Sequence, residues 1–169
     1  MVRRVFISHI HEEKDVALAL QRLIDAQLGD ALGGKVEVFL SSDRFQWRAG
    51  EDWLKRIKTE LSQADVVIAV LSPESLGRHW VNLEAGAAWV LDRTIIPALH
   101  SGLSLKKLPR PYSDWDAVEL EKDPYHLLRS LGEGLFHRPP LSPDHEAYAA
   151  LTAAIERNRK RFGRPHHGE

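Results

Sequence analysis

The chain has 169 residues, enough for one domain with a buried core and too few for two ordinary domains. Hydrophobic residues make up 43% and charged residues 28%, which excludes wholesale disorder and collagen-like or coiled-coil architectures. Lys and Arg total 23 against 24 Asp and Glu, which gives a net charge of -1. The chain therefore has no overall positive charge to attract phosphate backbones, and nucleic acid is not the expected partner.

Cysteine is absent, which excludes disulfides, thiolate zinc sites and cysteine nucleophiles. This composition is compatible with a reducing compartment, and we expect a cytoplasmic location. The longest apolar runs, such as residues 66–71, have the length of a strand. No signal peptide or membrane span is therefore expected.

Strand and helix patterns alternate along the chain. Apolar, β-favouring runs predict strands, and apolar stripes at helical spacing predict helices between them. The predicted strands are residues 5–7, 36–40, 66–71, 94–96 (closed by Pro97) and a short peripheral strand at 117–120. The predicted helices follow at about 12–28, 53–61, 80–92, 124–136 and 144–162, before a polar tail at 163–169. This order predicts a doubly wound α/β domain: a parallel sheet of about five strands with helices on both faces, plus a C-terminal helix.

Three of the predicted strands are followed by serine, at Ser8, Ser41 and Ser72. The carboxyl ends of parallel strands lie at one edge of the sheet, where open α/β sheets bind ligands. We therefore predict a cleft ringed by these serines together with His9, Ser42 and Asp43. The alternative is that the serines only cap helices and turns.

The polar loop at residues 41–50 carries two large aromatic side chains, Phe45 and Trp47. Exposed aromatic rings are typical of a surface that meets a ligand ring or a partner protein. The alternative is that both rings fold back onto the domain.

Trp80 and Glu84 stand four residues apart and share one face of the helix predicted after the third strand. At a cleft, the indole could stack on a ligand ring while the carboxylate offsets positive charge at a sugar carbon. Spacing alone also fits a core tryptophan and a glutamate placed by the helix dipole.

Metal and phosphate sites have little support in the sequence. Of the nine histidines, His9 and His11 are the only close pair in the first half. Without thiolates or an HExxH pattern, we expect no metal site. The GxGxxG, GxxxxGKS and GxSxG patterns are absent as well, which argues against kinase, NTPase and hydride-transfer functions.

Several motifs in this order resemble the TIR (Toll/interleukin-1 receptor) domain family, in its bacterial form. They are Val5-Phe6-Ile7-Ser8-His9, the 41–50 loop with Asp43 and Gly50, Ala64-Asp65 leading into the third strand, Trp80 to Glu84 as the WxxxE element, and Ile95-Ile96-Pro97. The resemblance covers about residues 3–120 and implies a flavodoxin-like fold. It divides the chain into a TIR domain at 1–136 and a C-terminal helical extension with the tail at 137–169, which could pack on the domain, cover the cleft or bind a partner.

The resemblance also implies a function. Many bacterial TIR domains cleave the nicotinamide–ribose bond of NAD to give ADP-ribose or a cyclic form, often in stress or antiphage defence, and require the WxxxE glutamate, here Glu84. NAD is then the substrate, and no cofactor is implied. The 41–50 loop would mediate self-association, which an upstream sensor or activator protein would trigger. Ala49 replaces the proline of eukaryotic adaptors, so adaptor-style binding surfaces do not transfer directly.

Two other functions remain open on the sequence. One is a non-catalytic interaction module that assembles through the same loop. The other is an enzyme similar to the nucleoside deoxyribosyltransferases, which share a related sheet and use a carboxylate at a sugar carbon. The first predicts that NAD stays intact, and the second predicts base exchange on deoxynucleosides.

Overall fold

The computed structural model describes residues 2–29, 32–41, 53–140 and 144–162. The strands are β1 Val2–Ser8, β2 Lys35–Leu40, β3 Val66–Leu71, β4 Thr94–Leu99 and β5 Val118–Glu119. The helices are α1 Lys14–Gln27, α2 Trp53–Gln63, α3 His79–Val90, α4 Pro124–Phe136 and α5 His145–Phe162. The predicted alternation of strands and helices is confirmed.

The strands form one parallel sheet in the order β2-β1-β3-β4-β5. This is the flavodoxin-like order, and its connections run in opposite directions from β1, towards β2 and towards β3. Every residue of β3 is buried, as expected for a central strand covered by helices on both faces. The predicted doubly wound fold is therefore confirmed. The carboxyl ends of β1 and β3 mark the switch point where such sheets bind ligands.

The core lies on both faces of the sheet. On one face, Ile7 and Ile68 pack with α1, α4 and α5. On the other face, Phe6 and Val67 pack with α2 and α3. Successive residues of a strand point to opposite faces, so one short run such as Phe6-Ile7 contributes to both layers.

The expectation that Pro97 closes the fourth strand is wrong, because β4 continues to Leu99. Pro97 pairs with Ala69 of β3 in the parallel register. The carbonyl of Leu99 faces β5 and accepts a hydrogen bond from the Leu120 N–H. Pro97 lies two residues earlier, so its backbone nitrogen points to the same side of β4. Because β5 begins only at Val118, opposite Ala98, the N–H that proline lacks would have no partner in β5.

The C-terminal extension packs on the domain through α5, which lies against α1. Leu151, Ala154 and Ile155 are buried in the same core cluster as α1 and α4. Arg157 of α5 also lies 3.5 Å from the carboxylate of Asp15 on α1. Of the three positions considered for this extension, the structure shows packing on the domain. The polar tail at 163–169 lies outside the described residues.

None of the helices in the described ranges combines the length and the apolar character that a bilayer crossing requires.

Candidate active site

The carboxylate of Glu84 lies at the carboxyl edge of the sheet. Glu84 occupies the second turn of α3, and its side chain is only 1% exposed. Its Oε2 accepts a hydrogen bond from the hydroxyl of Ser8, the last residue of β1. Trp80 is half-buried one turn earlier on the same helix. The structure therefore brings together Glu84 and Ser8, which the sequence predicted to share a cleft.

Tyr112 is a neighbour of Glu84 that the sequence did not predict. Burial, followed by the negative charge of Glu84, raises the pKa of Tyr112 to about 12. Its hydroxyl donates to Oδ1 of Asn82 at 2.8 Å, and its ring lies edge-on to Trp115 with the centroids 5.7 Å apart. Tyr112 belongs to the irregular connection between β4 and β5, where no periodicity or motif indicates its position.

His9 and Ser41 join the carboxyl ends of the neighbouring strands β1 and β2. The His9 N–H donates to the Ser41 hydroxyl oxygen at 3.1 Å, and that hydroxyl lies 3.2 Å from the His9 carbonyl and 3.3 Å from Nδ1 of its ring. Both residues are buried. The sequence prediction that they lie at one edge follows from the parallel order of their strands.

Ser72 belongs to a second buried polar cluster. Its hydroxyl donates to Glu13 and accepts from the backbone N–H groups of Glu74 and Ser75 at 3.2 and 3.1 Å. Glu13 is fully buried, and its Oε2 lies 3.4 Å from Nε2 of His100, at the end of β4. The predicted strand-end serine is at the expected edge, but its carboxylate partner is Glu13.

This second cluster continues into the C-terminal helix. Nδ1 of His100 lies 3.0 Å from the hydroxyl of Ser101, which donates to Oδ1 of the buried Asn158 on α5 at 3.0 Å. The sequence did not single out Glu13, His100 or Asn158. These three residues are far apart along the chain, so only the folded arrangement reveals the cluster.

A groove of about 620 Å³ runs between α2 and α3 beside Glu84. Its lining includes Ile57 and Leu61 from α2 and Trp80, Glu84 and Trp89 from α3. Leu83, Trp89 and Val90 remain 56%, 65% and 73% exposed on this helix. A largely apolar groove lined by the indole rings of Trp80 and Trp89 suits a ligand with a planar ring.

Three predicted binding residues, Asp43, Phe45 and Trp47, lie outside the described residues, as does Ser42. Within the described ranges, no group of three or more His, Asp or Glu side chains has an arrangement that could hold a metal ion.

A sequence model of the TIR domain family matches residues 5–130, most of the chain. The chain therefore belongs to the TIR domain family. The match ends within α4, so the α5 helix of this TIR domain protein lies beyond it. No curated protein sequence gives a significant match to the chain.

The geometry defines what the TIR domain can do at this site. Glu84 faces the end of β1, where its Oε2 accepts a hydrogen bond from the Ser8 hydroxyl. A carboxylate in such a buried setting interacts strongly with a positive charge brought next to it, because little solvent screens the pair. The site is thus suited to stabilising a cationic group at the switch point of the sheet.

Proposed function

We propose that this TIR domain protein cleaves the nicotinamide–ribose bond of NAD. The observation that carries the proposal is the position of Glu84, a buried carboxylate on α3 that faces the carboxyl end of β1. TIR domains include signalling modules and NAD-cleaving enzymes, and a positioned carboxylate at this edge favours the enzyme. NAD would be the substrate, and the reaction needs no further cofactor.

The chemistry requires little from the protein beyond positioning and charge. When the bond between the ribose carbon and the nicotinamide nitrogen breaks, the electron pair goes to that nitrogen and neutralises its positive charge. Because the leaving group departs neutral, no general acid is needed. The ribose carbon becomes an oxocarbenium-like cation, which the carboxylate of Glu84 stabilises.

The acceptor decides the product. Water attacking the sugar carbon gives ADP-ribose and releases one proton. Attack by a hydroxyl or ring nitrogen of the same molecule gives a cyclic ADP-ribose, again with release of nicotinamide and one proton. Holding the acceptor next to the sugar carbon accounts for much of the acceleration, because it removes the entropy cost of an encounter.

We propose that the substrate contacts come from the groove and from the carboxyl edge of the sheet. Trp80 lines the groove beside Glu84, where its indole is placed to stack on a ring. The side chains of Ser8, His9, Ser41 and Ser72 are buried at the same edge. The proposed contacts of Asp43, Phe45 and Trp47 belong to the 41–50 loop, through which we also propose self-association.

The proposal is tested by incubating concentrated protein with NAD, with and without a crowding agent, and by mass spectrometry of the products. We expect release of nicotinamide, and we expect Glu84→Gln to lower its rate at least about 100-fold. Glu156→Gln, at an exposed position of α5, is the matched control and should retain the wild-type rate. Intact NAD in assembled wild-type protein, or full activity of folded Glu84→Gln, would overturn the proposal.

A non-catalytic assembly module is the second candidate, and the exposed apolar side chains of Leu83, Trp89 and Val90 favour it. It predicts concentration-dependent association without loss of NAD. The same mass spectrometry, with deoxynucleosides added, separates a third candidate, the deoxyribosyltransferase-like enzyme, which would exchange bases.

For the NAD-cleaving enzyme, we propose a cytoplasmic role in bacterial stress or antiphage defence, activated by an upstream sensor protein.

A further inference from the structure

We propose that Ser8 is a positioning residue, which orients the Glu84 carboxylate instead of contacting the substrate. This inference rests on the proposed function, and it assigns to Ser8 a task that differs from the substrate contact predicted for the strand-end serines. Its basis is the hydrogen bond from the Ser8 hydroxyl to Oε2 of Glu84.

Ser8 is built into a rigid part of the molecule. It is the last residue of β1, is fully buried, and pairs with Ala69 of the central strand β3. The preceding residue, Ile7, pairs with strands on both sides, Leu40 of β2 and Ile68 of β3. The backbone of Ser8 is therefore fixed, and its hydroxyl can hold the acceptor in a defined position.

The hydroxyl of Ser8 has one proton, and that proton is directed to Glu84. The glutamate side chain has three rotatable bonds, and this hydrogen bond helps to fix the position of its Oε2. A charge held in place before the reaction stabilises the transition state without reorganisation. Fixing Glu84 therefore affects the chemical step more than the binding of substrate.

The three strand-end serines differ in this respect. Ser8 donates to Glu84, whereas Ser41 is bonded to His9 and Ser72 donates to Glu13. The same residue type at the same edge thus has three different partners. Of these three serines, Ser8 is the one that donates to the carboxylate proposed to stabilise the ribose cation.

The kinetic test compares wild-type protein with Ser8→Ala and Ser8→Cys. We expect Ser8→Ala to lower kcat by about 10- to 100-fold, because a hydrogen bond to a charged group is lost, with little change in KM. Ser8→Cys has a weaker donor of similar size and should give an intermediate kcat. Ser130→Ala, which removes a hydroxyl bonded to the His126 carbonyl within α4, should leave both constants unchanged.

A raised KM with unchanged kcat would show that Ser8 contacts the substrate and would overturn the proposal. Wild-type kinetics in folded Ser8→Ala would overturn it as well. If Ser8→Ala does not fold, Ser8→Cys carries the same comparison.

A second measurement does not depend on activity. In protein labelled with carboxyl-¹³C glutamate, the infrared difference between wild type and Glu84→Gln isolates the carboxylate band of Glu84. We expect this band to shift in Ser8→Ala, and an unshifted band would overturn the proposal. A wild-type chain that leaves NAD intact would overturn the proposed function, while the band still decides whether Ser8 orients Glu84.

Discussion

Nε2 of His100 lies 3.4 Å from Oε2 of Glu13, and both side chains are fully buried. Glu13 also accepts from the hydroxyl of Ser72, and the other imidazole nitrogen of His100 is 3.0 Å from Ser101. Ser101 in turn donates to Asn158 of α5. A continuous polar cluster thus joins the ends of β3 and β4 to the C-terminal helix, which the family match does not cover.

The first prediction concerns this buried pair. Replacing His100 with Leu removes the imidazole and leaves the Glu13 carboxyl group buried beside an apolar side chain. We expect His100→Leu to lower the free energy of unfolding by about 3–5 kcal/mol. Equilibrium unfolding in urea measures this change.

The matched control is Glu156→Gln, which breaks an exposed pair with Lys160 on α5. That change should alter the free energy of unfolding by less than about 1 kcal/mol. A loss of similar size in both variants would contradict a special contribution of the buried cluster.

The contacts within this cluster were only partly predictable from the sequence. The strands and helices were predictable because their signals are local, and the approximate position of Ser72 followed from the parallel order of the strands. The partner of Ser72 was not predictable, because Glu13 stands in a charged stretch, His11-Glu12-Glu13-Lys14, that reads as an exposed helix start. Contacts between residues so distant along the chain depend on packing that no local pattern encodes.

The position of Glu84 at the carboxyl edge of the sheet was predictable for a different reason. Its spacing from Trp80 placed both residues on one helix face, and the TIR resemblance selected that helix. The alternation of elements also placed the start of α3 near the carboxyl edge of the sheet. Tyr112, by contrast, comes from a connection with two short 3₁₀ turns and no periodic pattern, so its approach to Glu84 required the structure.

The second prediction concerns alkaline pH and Tyr112. Its pKa is raised to about 12 in the folded protein, mainly by burial and further by the charge of Glu84, against 10.0 for the ordinary side chain. Between pH 10 and 12 the unfolded chain loses this proton while the folded chain keeps it. The free energy of unfolding therefore falls as the pH rises through this window, whereas below pH 10 the contribution is constant.

Tyr112→Phe isolates this contribution. The variant should lose about 1 kcal/mol at neutral pH, because the hydrogen bond to Asn82 is gone, but its stability should decline less steeply above pH 10. Part of the decline will persist, since burial and then the charges of Tyr125 and Asp123 raise the pKa of Tyr148 to about 12 as well. Urea unfolding across this pH range checks the difference, and parallel declines in the two proteins would refute it.

The third prediction compares two glycines of α4. The helix ends at Phe136, and His137 follows with a φ of 56°, in the left-handed region, so that the chain turns back over the helix. The His137 N–H donates to the carbonyl of Glu133, and the Arg138 N–H donates to the carbonyl of Gly132. The left-handed His137 and its bond to Glu133 form an αL C-cap.

The returning chain lies directly against Gly132. A Cβ atom at this position would come within 2.6 Å of the Arg138 carbonyl oxygen and 3.1 Å of Cδ of Pro140. At Gly134, a Cβ atom would meet nothing within 4 Å. The two positions therefore share a helix and a residue type but differ in the space available.

We expect Gly132→Ala to lower the free energy of unfolding by about 1–3 kcal/mol, because the backbone of the C-cap must move. Gly134→Ala should raise it by about 0.5–1 kcal/mol, because alanine loses less conformational entropy in a helix than glycine does. Urea unfolding of both variants gives the two signs directly. A stabilising Gly132→Ala would mean that the turn after α4 does not pack against the helix in solution, since only that contact opposes the better helix former.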